Sequence, residues 1–371
     1  MNRFHLYVFK QLLIAMAFSV TVLTCVIWLT QSLRVIELIV NRGLSVGTFL
    51  YLTALALPNF LEYILLISLL AAVIFVYARM VTDRELVVMR AAGQSQAALS
   101  RPALVLASLV MLTCYLLNLY VVPTSYNAFR DLQWEIRYNF SHILLREGAF
   151  NALNNNVTVY IRERTKAGEL KGILIHDGRK AEKPQTWMAE RGAIVDTESG
   201  PQVLMYNGNR QEVDAKTNTL SILHFDRWSM HLEANKAPTG PRYREARERY
   251  LDELLDPSLD PGIPARDHGK LKAEGHRRLT WPLLAPGFTL IALSALIGGS
   301  FTRRGQGQRI AIAIGVVATV IVLALGLQNL TGKTQALAAL MYVNALLPLL
   351  VGYAYTMRPA LFQHRRLVLE G

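Results

Sequence analysis

The sequence has 371 residues, of which 52% are hydrophobic and 18% are charged, whereas an ordinary soluble domain carries about 25% charged residues. This composition excludes a typical soluble enzyme and indicates that much of the chain faces lipid. The formal net charge of +12 is unevenly placed, because residues 124–278 hold 24 basic and 22 acidic residues and the rest of the chain holds 15 and 5. The basic excess therefore accompanies the apolar segments and predicts no nucleic-acid partner.

Six apolar segments are long enough to cross the roughly 30 Å hydrocarbon core of a bilayer, which needs about 20 helical residues. They are residues 12–33, 49–77, 103–122, 283–301, 310–330 and 336–357. We therefore predict an α-helical polytopic membrane protein with three spans on each side of a long polar region. Pro58, Pro286 and Pro348 lie inside these segments and are candidates for kinks.

Basic residues beside the spans predict the orientation of the chain. Twelve lie on one side of the membrane, together with the termini, and only Arg34, Arg42 and Lys333 lie in the short loops on the other side. Loops rich in lysine and arginine stay in the cytoplasm, so both termini are expected there. The region 124–278 is then extracytoplasmic.

Short apolar runs in the central region predict β-strands. The runs are residues 157–161, 170–175, 202–206 and 220–225, and turn signals at 176–178 and 206–208 separate them. Such spacing indicates a small sandwich or jelly roll. An open edge at 157–161 or 220–225 is expected to pair with strands of partner β domains.

The segment after the strands completes the predicted domain organisation. It reads as a charged helix at 243–255 followed by a proline-rich linker at 256–268. Residues 1–122 thus hold the first three spans with a cytoplasmic helix at about 83–93, residues 123–278 the β domain with its connector, and residues 279–371 the last three spans.

Motifs for catalysis, metals or cofactors are missing from the sequence. The segment Gly332-Lys-Thr334 is similar to the end of a phosphate-binding loop, but the glycine required at position 327 is Leu327, and the segment is a tight turn between two spans. Cys25 and Cys114 both lie in apolar runs. We assign no catalytic residue, metal site or cofactor, so any energy input must come from another subunit.

The loop between the second and third spans predicts a short cytoplasmic helix. Residues 85–92 form the helix, Thr82 or Asp83 caps its start, and Gly93 ends it. Glu85 is expected to face the cytosol.

An apolar face on this helix has two interpretations. Leu86, Val87 and Met89 are expected to form that face. The helix then either lies on the lipid surface or docks into a cytosolic partner.

At these residues the chain resembles the LptF/LptG (YjgP/YjgQ) family, the permease subunits of the lipopolysaccharide-export ABC transporter. The family's acidic residue, apolar positions and Arg-Ala-Ala-Gly are present as Glu85-Leu-Val-Val-Met-Arg-Ala-Ala-Gly93. Further matches are His276-Arg-Arg-Leu-Thr-Trp-Pro282 before the fourth span and Arg303-Arg-Gly305 after it. The resemblance covers the whole chain and is closer to the F member than to the G member. The segment 257–275 departs from it by being longer and richer in proline.

The resemblance implies a bacterial inner-membrane protein with three spans, a periplasmic β-jelly roll and three more spans. It implies a subunit that works with an LptG-like permease, an LptB-like ATPase dimer, and LptC-like and LptA-like periplasmic β proteins. Together these extract lipopolysaccharide and pass it to a periplasmic bridge. By the same analogy the cytoplasmic helix is a coupling helix, with the ATPase-coupling residues Glu85, Leu86, Met89, Arg90 and Gly93.

Four charged residues near the membrane are candidates for lipid binding. Arg34 closes the first span on the outer side, and Arg277 and Arg278 precede the fourth span, where a cation can meet headgroup phosphate. Glu62 lies inside the second span, and an intramembrane carboxylate suggests function. The alternative is that the arginines snorkel to phospholipid headgroups and that backbone near Pro58 satisfies Glu62.

Two other functions stay open from the sequence. A non-transporting scaffold whose β domain anchors envelope proteins predicts no ATPase partner. A membrane-embedded lipid-modifying enzyme predicts clustered intramembrane histidines or carboxylates, which Glu62 alone does not supply.

Overall fold

The computed structural model describes residues 3–42, 45–138, 147–154, 156–165, 169–179, 184–197, 200–214, 219–231, 242–298 and 306–357. The chain packs as two compact units. The helical unit is Met1–Arg34, Tyr51–Ala128 and Arg244–Gly371, and the sheet unit is Val35–Leu50 and Phe129–Tyr243.

Helices make up most of both ends of the chain. Before the strands come α1 (Arg3–Arg42), α2 (Val46–Ala56), α3 (Pro58–Thr82), α4 (Glu85–Ala91), α5 (Gln96–Leu116), a π-helical turn (Leu117–Val121) and α6 (Val122–Tyr138). After the strands come α7 (Leu251–Leu255), α8 (Ala265–Thr280), α9 (Leu284–Ile297), α10 (Gln306–Thr331) and α11 (Ala338–Met357), with 3-10 turns at Ala246–Glu248, Pro257–Leu259 and Gln335–Leu337.

The prediction of six spans is confirmed. Among the described residues, five helical stretches are long and apolar enough to cross a membrane, and α8 with α9, which are bent by 49° at their junction, make a sixth when they are counted as one span. The bend falls at residues 281–283, where Pro282 lacks the N–H that a continuous helix would use. Pro286 lies in the first turn of α9, where proline is tolerated, and Pro58 begins α3 and so separates it from α2.

The core of the helical unit surrounds α9, most of whose side chains are buried. Apolar residues of α1, α3, α4 and α5 pack in the same cluster. Gly352 of α11 lies so close to α9 that a Cβ there would be 2.6 Å from the Cβ of Leu290, which is the close approach that small residues permit between spans. By contrast, only 11% of the residues in the most apolar stretch of α1, and likewise of α10, are buried. These two helices therefore present apolar surface to lipid or to other helices.

Within the described residues of the sheet unit, six antiparallel strands form one sheet in sequence order, which confirms the inserted β domain. The strands are β1 (Phe150–Asn154), β2 (Val157–Arg164), β3 (Leu170–Asp177), β4 (Gln185–Thr197), β5 (Gly200–Asp214) and β6 (Thr219–His231). The four predicted runs lie in β2, β3, β5 and β6. The sequence did not predict β1 or β4. The strand β4 carries the polar stretch Glu190-Arg-Gly192 at its centre, which hides its strand pattern.

Among the strands that the structure describes, β1 and β6 lie at the two edges of the sheet. The run 157–161 lies in β2, which pairs on both sides with β1 and β3. The expectation that it forms an open edge is therefore wrong. The run 220–225 does lie on the outermost strand, β6.

A polar row crosses five strands of the sheet. In each of the four strand pairs from β2–β3 to β5–β6, the cross-strand pairing skips one residue on each strand. The skipped residues line up across the sheet. The row consists of Arg162, Gly172, Glu190, Asn207 and Asp226. A groove of about 980 Å³ includes all five among its lining residues.

The polar row interrupts the regular pairing of the sheet. Gly172 and Asn207 have φ angles of +63° and +50°, a left-handed conformation that redirects the strand. The alternation of buried side chains changes phase there, since Ile173 and Ile175 are buried on one side of the row and Leu170 on the other. The predicted turn at 206–208 is thus wrong, because β5 continues through Asn207 to Asp214 in spite of the positive φ.

The connector after the sheet differs from its prediction. In place of one helix over 243–255, a 3-10 turn at Ala246–Glu248 is followed by extended backbone at Arg249 and Tyr250 and then by α7. The extended backbone at Arg249 and Tyr250 interrupts any continuous helix, and Arg278 donates to the carbonyls of Ala246, Arg247 and Arg249 in this turn. The predicted linker at 256–268 is also partly ordered, since α8 begins at Ala265.

Candidate functional site

The predicted cytoplasmic helix is present as α4, and its ends are set by two left-handed residues. Arg84, with a φ of 61°, is the N-cap and makes no side-chain cap bond, so the assignment of Thr82 or Asp83 as the cap is wrong. Gly93, with a φ of +80°, follows the helix. Its N–H donates to Arg90 O at 2.9 Å, and the next N–H donates to Met89 O at 3.1 Å, which confirms Gly93 as the end of the helix.

The apolar face of α4 is turned into the protein. Leu86 is 0% exposed in the core of the helical unit, and Met89 packs against the same core. Val87 and Val88 are exposed, because residues one and two positions on from Leu86 lie on the other side of a helix. The expectation that Leu86 forms an outward apolar face is therefore wrong, and the outward face is Val87 and Val88.

A second attachment joins α4 to the end of α9. The Arg90 Nη2 donates to the carbonyl oxygen of Ile297, the last residue of α9, where the negative end of the helix dipole favours a cation. Burial lowers the pKa of the Arg90 guanidinium from its ordinary value, but that value is so high that the group stays charged. Glu85 is partly exposed at the first turn.

A buried ion-pair network joins α3 to α8. The Arg277 guanidinium binds both oxygens of Glu274, with Nε at 2.9 Å and Nη2 at 2.8 Å, and its Nη1 donates to Glu62 Oε1 at 3.1 Å. Nη1 also lies 3.3 Å from the hydroxyl of Tyr63. Each of the three charged side chains is under 10% exposed. Paired charges of this kind are the form in which ions are tolerated in an apolar interior.

Arg278 ties the same helix to the connector. Its Nη1 donates to Arg249 O at 2.8 Å, and its Nη2 donates to Ala246 O at 3.0 Å and Arg247 O at 3.1 Å. Its Nε also lies 3.5 Å from a carboxylate oxygen of Glu274. Arg278 is 1% exposed, and its bonds fix α8 to the connector within the helical unit.

Other spans contact the same stretch of α8. Gln328 of α10 donates to Glu274 Oε2 at 3.0 Å, and Tyr115 of α5 donates to Leu279 O at 2.8 Å. His276 lies 3.0 Å from the hydroxyl of Tyr342 of α11. The C-terminal half of α8 is therefore a polar hub for α3, α5, α10 and α11.

The structure brings together lipid-binding candidates that the sequence treated separately. Glu62 and Arg277 are 215 positions apart and form an ion pair, which no local sequence signal could reveal. Lipid contact by these two residues and by Arg278 stays a prediction, and phosphate would have to displace the bonds described above. The side chain of Arg34 lies outside the described part of the chain.

Comparison with known proteins gives one family. Residues 6–358 match the family model of the lipopolysaccharide export system permease LptF/LptG. The chain is 30% identical over 344 residues to uncharacterized protein RP871 of Rickettsia prowazekii strain Madrid E, which covers 92% of this chain and 94% of that protein. It is 23% identical over 207 residues to LptF of Escherichia coli K12 and to LptF of Shigella flexneri, covering 55% of this chain and 57% of each relative. The chain therefore belongs to the LptF/LptG family of lipopolysaccharide export permeases.

Proposed function

We propose that this chain is an LptF-like permease subunit of an ABC transporter that extracts lipopolysaccharide from the inner membrane and passes it to a periplasmic bridge. An LptB-like ATPase dimer supplies the energy, and an LptG-like permease completes the membrane path. LptC-like and LptA-like β proteins receive the lipid. The observation that supports this most directly is the double attachment of α4, through buried Leu86 and through Arg90 at the end of α9.

The double attachment suits a coupling helix. A force applied to α4 passes to α3 through the short turn at Asp83 and Arg84, and to α9 through Arg90. The outward residues Val87 and Val88 offer apolar contact to a partner. Glu85 beside them can accept a charge-assisted hydrogen bond from a partner arginine.

The outward surfaces of the spans favour a membrane partner. The exposed apolar residues of α1 and α10 leave this chain with lateral surface that a second permease can cover. The twelve-to-three distribution of basic residues favours cytoplasmic termini and a periplasmic sheet unit, so that α4 meets the ATPase in the cytosol.

Strand β6 favours a β-rich periplasmic partner. Leu220, Ile222 and Leu223 on this edge strand are 58%, 51% and 44% exposed. An apolar edge strand in water is an aggregation risk unless another strand covers it. Strand addition by an LptC-like or LptA-like domain would cover it and continue the sheet.

The proposed function is tested at Glu85. Truncating one member of a desolvated, hydrogen-bonded charge pair costs about 2–5 kcal/mol, so Glu85→Ala should reduce assembly with the ATPase or separate ATP hydrolysis from lipopolysaccharide release in proteoliposomes. The matched control is Gln94→Ala, just beyond the helix, which should behave like the parent. If Glu85→Ala assembles and exports like the parent, α4 is not a coupling helix and its lipid-surface interpretation stands. Purification of the parent without any ATPase would favour the scaffold.

A further inference from the structure

We infer that Arg277 is a positioning residue for transport, which carries movement of α3 to α8 and, through neighbouring Arg278, to the connector that follows the sheet unit in sequence. The inference rests on the proposed function, because it assigns a route to the motion that α4 would start.

The first step of the route is the rigid length of α3. Glu62 lies in the second turn of this helix, 20 residues before Thr82. These two residues are therefore about 30 Å apart along the helix, at a rise of 1.5 Å per residue. The α4 end of α3 is fixed to α4 by the turn at Asp83 and Arg84. A displacement applied at α4 therefore appears at Glu62.

The second step is a single charged link. Glu62 Oε1 accepts from Arg277 at 3.1 Å, while Glu62 Oε2 is buried and has no hydrogen-bond partner among the described residues. The carboxylate thus depends on one arginine. Ring contact supports the same junction, since Tyr63 and Trp281 meet edge to face with centroids 5.1 Å apart.

The third step leaves the membrane spans. Glu274 is shared by Arg277, at 2.8 Å, and Arg278, at 3.5 Å, so the two arginines are fixed to each other through one carboxylate. Arg278 in turn holds three carbonyls of the turn at residues 246–249. Arg278 is 1% exposed and its bond to Arg249 O is buried, whereas its bonds to Ala246 O and Arg247 O are partly buried. Water therefore competes with the bond to Arg249 O only at a high cost.

The chemistry of the link explains why an arginine is used. A guanidinium offers five donors in a planar fork, and Arg277 uses three nitrogens on two carboxylates and one hydroxyl. A lysine retains the charge but not this geometry. Arg277→Lys should therefore keep the charge of the network unchanged while it loosens the connection to α3.

The test uses the full complex in proteoliposomes that contain lipopolysaccharide. In Glu62→Gln and in Arg277→Lys, ATP hydrolysis should stay close to that of the parent while lipopolysaccharide released per ATP falls about fivefold or more, the lower end of coupling between sites. A nitroxide attached at Ser258→Cys, an exposed connector position, in a background where Cys25 and Cys114 are replaced by serine and alanine, should respond to ATP in the parent and not in the variants. The matched control is Lys270→Gln, which removes an exposed ion pair with Asp267 on the same helix and should behave like the parent.

Several outcomes would overturn the inference. These are an unchanged ratio of lipid to ATP in Glu62→Gln, a parent-like nitroxide response in both variants, and no response to ATP in the parent. If Glu62→Gln does not assemble, Arg277→Lys decides by the same measurements, and failure of both variants to assemble would assign the network to folding alone. If the parent hydrolyses ATP but moves no lipid, the proposed function fails. The nitroxide response then decides the route by itself.

Discussion

Replacing Leu86 by alanine tests which face of α4 is turned into the protein. Leu86 is 0% exposed, whereas Val88, two residues on, is 63% exposed. A buried Leu→Ala change costs about 2–5 kcal/mol through lost transfer free energy and the cavity left behind, while an exposed change is usually within about 0.5 kcal/mol. Leu86→Ala should therefore lower the unfolding temperature of the detergent-solubilised subunit, and Val88→Ala should leave it close to that of the parent.

The same pair of positions separates stability from assembly. Val88→Asp should keep the parent's unfolding temperature but reduce co-purification with the ATPase, because it places a charge in the apolar outward face. Leu86→Ala at a temperature below its transition should retain the ATPase better than Val88→Asp does. Equal destabilisation by Leu86→Ala and Val88→Ala, or no destabilisation by either, would refute the orientation of α4 described above.

Three further predictions concern the sheet unit and its surroundings. Gly208→Ala should destabilise the sheet, because its Cβ would lie 2.2 Å from a main-chain oxygen of β4. The control Gly326→Ala in α10, where a Cβ would meet nothing within 4 Å, should leave stability unchanged. Equal rates of proteolysis of the two variants would contradict this prediction. A photo-crosslinker at Ile222 on β6 should trap a β-rich partner, and failure to trap one anywhere along β6 would count against strand addition. Hydrogen bonds from Arg179 lower the pKa of the Asp177 carboxyl, so this pair stabilises the fold above the ordinary carboxyl pKa of about 3.9 and the contribution disappears as the pH falls below it. Asp177→Asn should therefore lose about 1 kcal/mol or less near neutral pH and show a weaker loss of stability as the pH falls from about 4 through the lowered pKa of Asp177; an unchanged loss of stability over that range would exclude this pair as a cause.

The membrane architecture follows closely from the sequence, because the hydrocarbon core imposes one length and one polarity on every span. The end of α4 at Gly93 was also predictable from the sequence, since the left-handed position after a helix favours glycine. The start of α4 was not, because Arg84 adopts a left-handed conformation that its residue type disfavours. Which side of α4 is buried depends on packing against other spans, and a seven-residue helix carries too few apolar positions to show it.

The ion-pair network was the largest omission of the sequence interpretation. Glu274 and Arg277 lie only three positions apart in the sequence, whereas Glu62 is distant, and only the packing of α3 against the start of the fourth span brings Glu62 to Arg277. The connector was missed for a related reason. An arginine about 30 positions later donates to two carbonyls of its turn at Ala246–Glu248, and the local sequence does not show this long-range contact.

The polar row also fixes how the strands align. Gly172 must lie next to Arg162, where a Cβ would be 2.8 Å from the arginine Nε, and Asn207 must lie in the same row on β5. A slip by one residue would reverse which side chains face the apolar side, and in β3 it would place Lys171 or Ile173 in the space that glycine alone fits. Length changes should therefore be accepted in the hairpin loops but not within β3 or β5, so natural variation in the length of this domain is expected to concentrate between its strands.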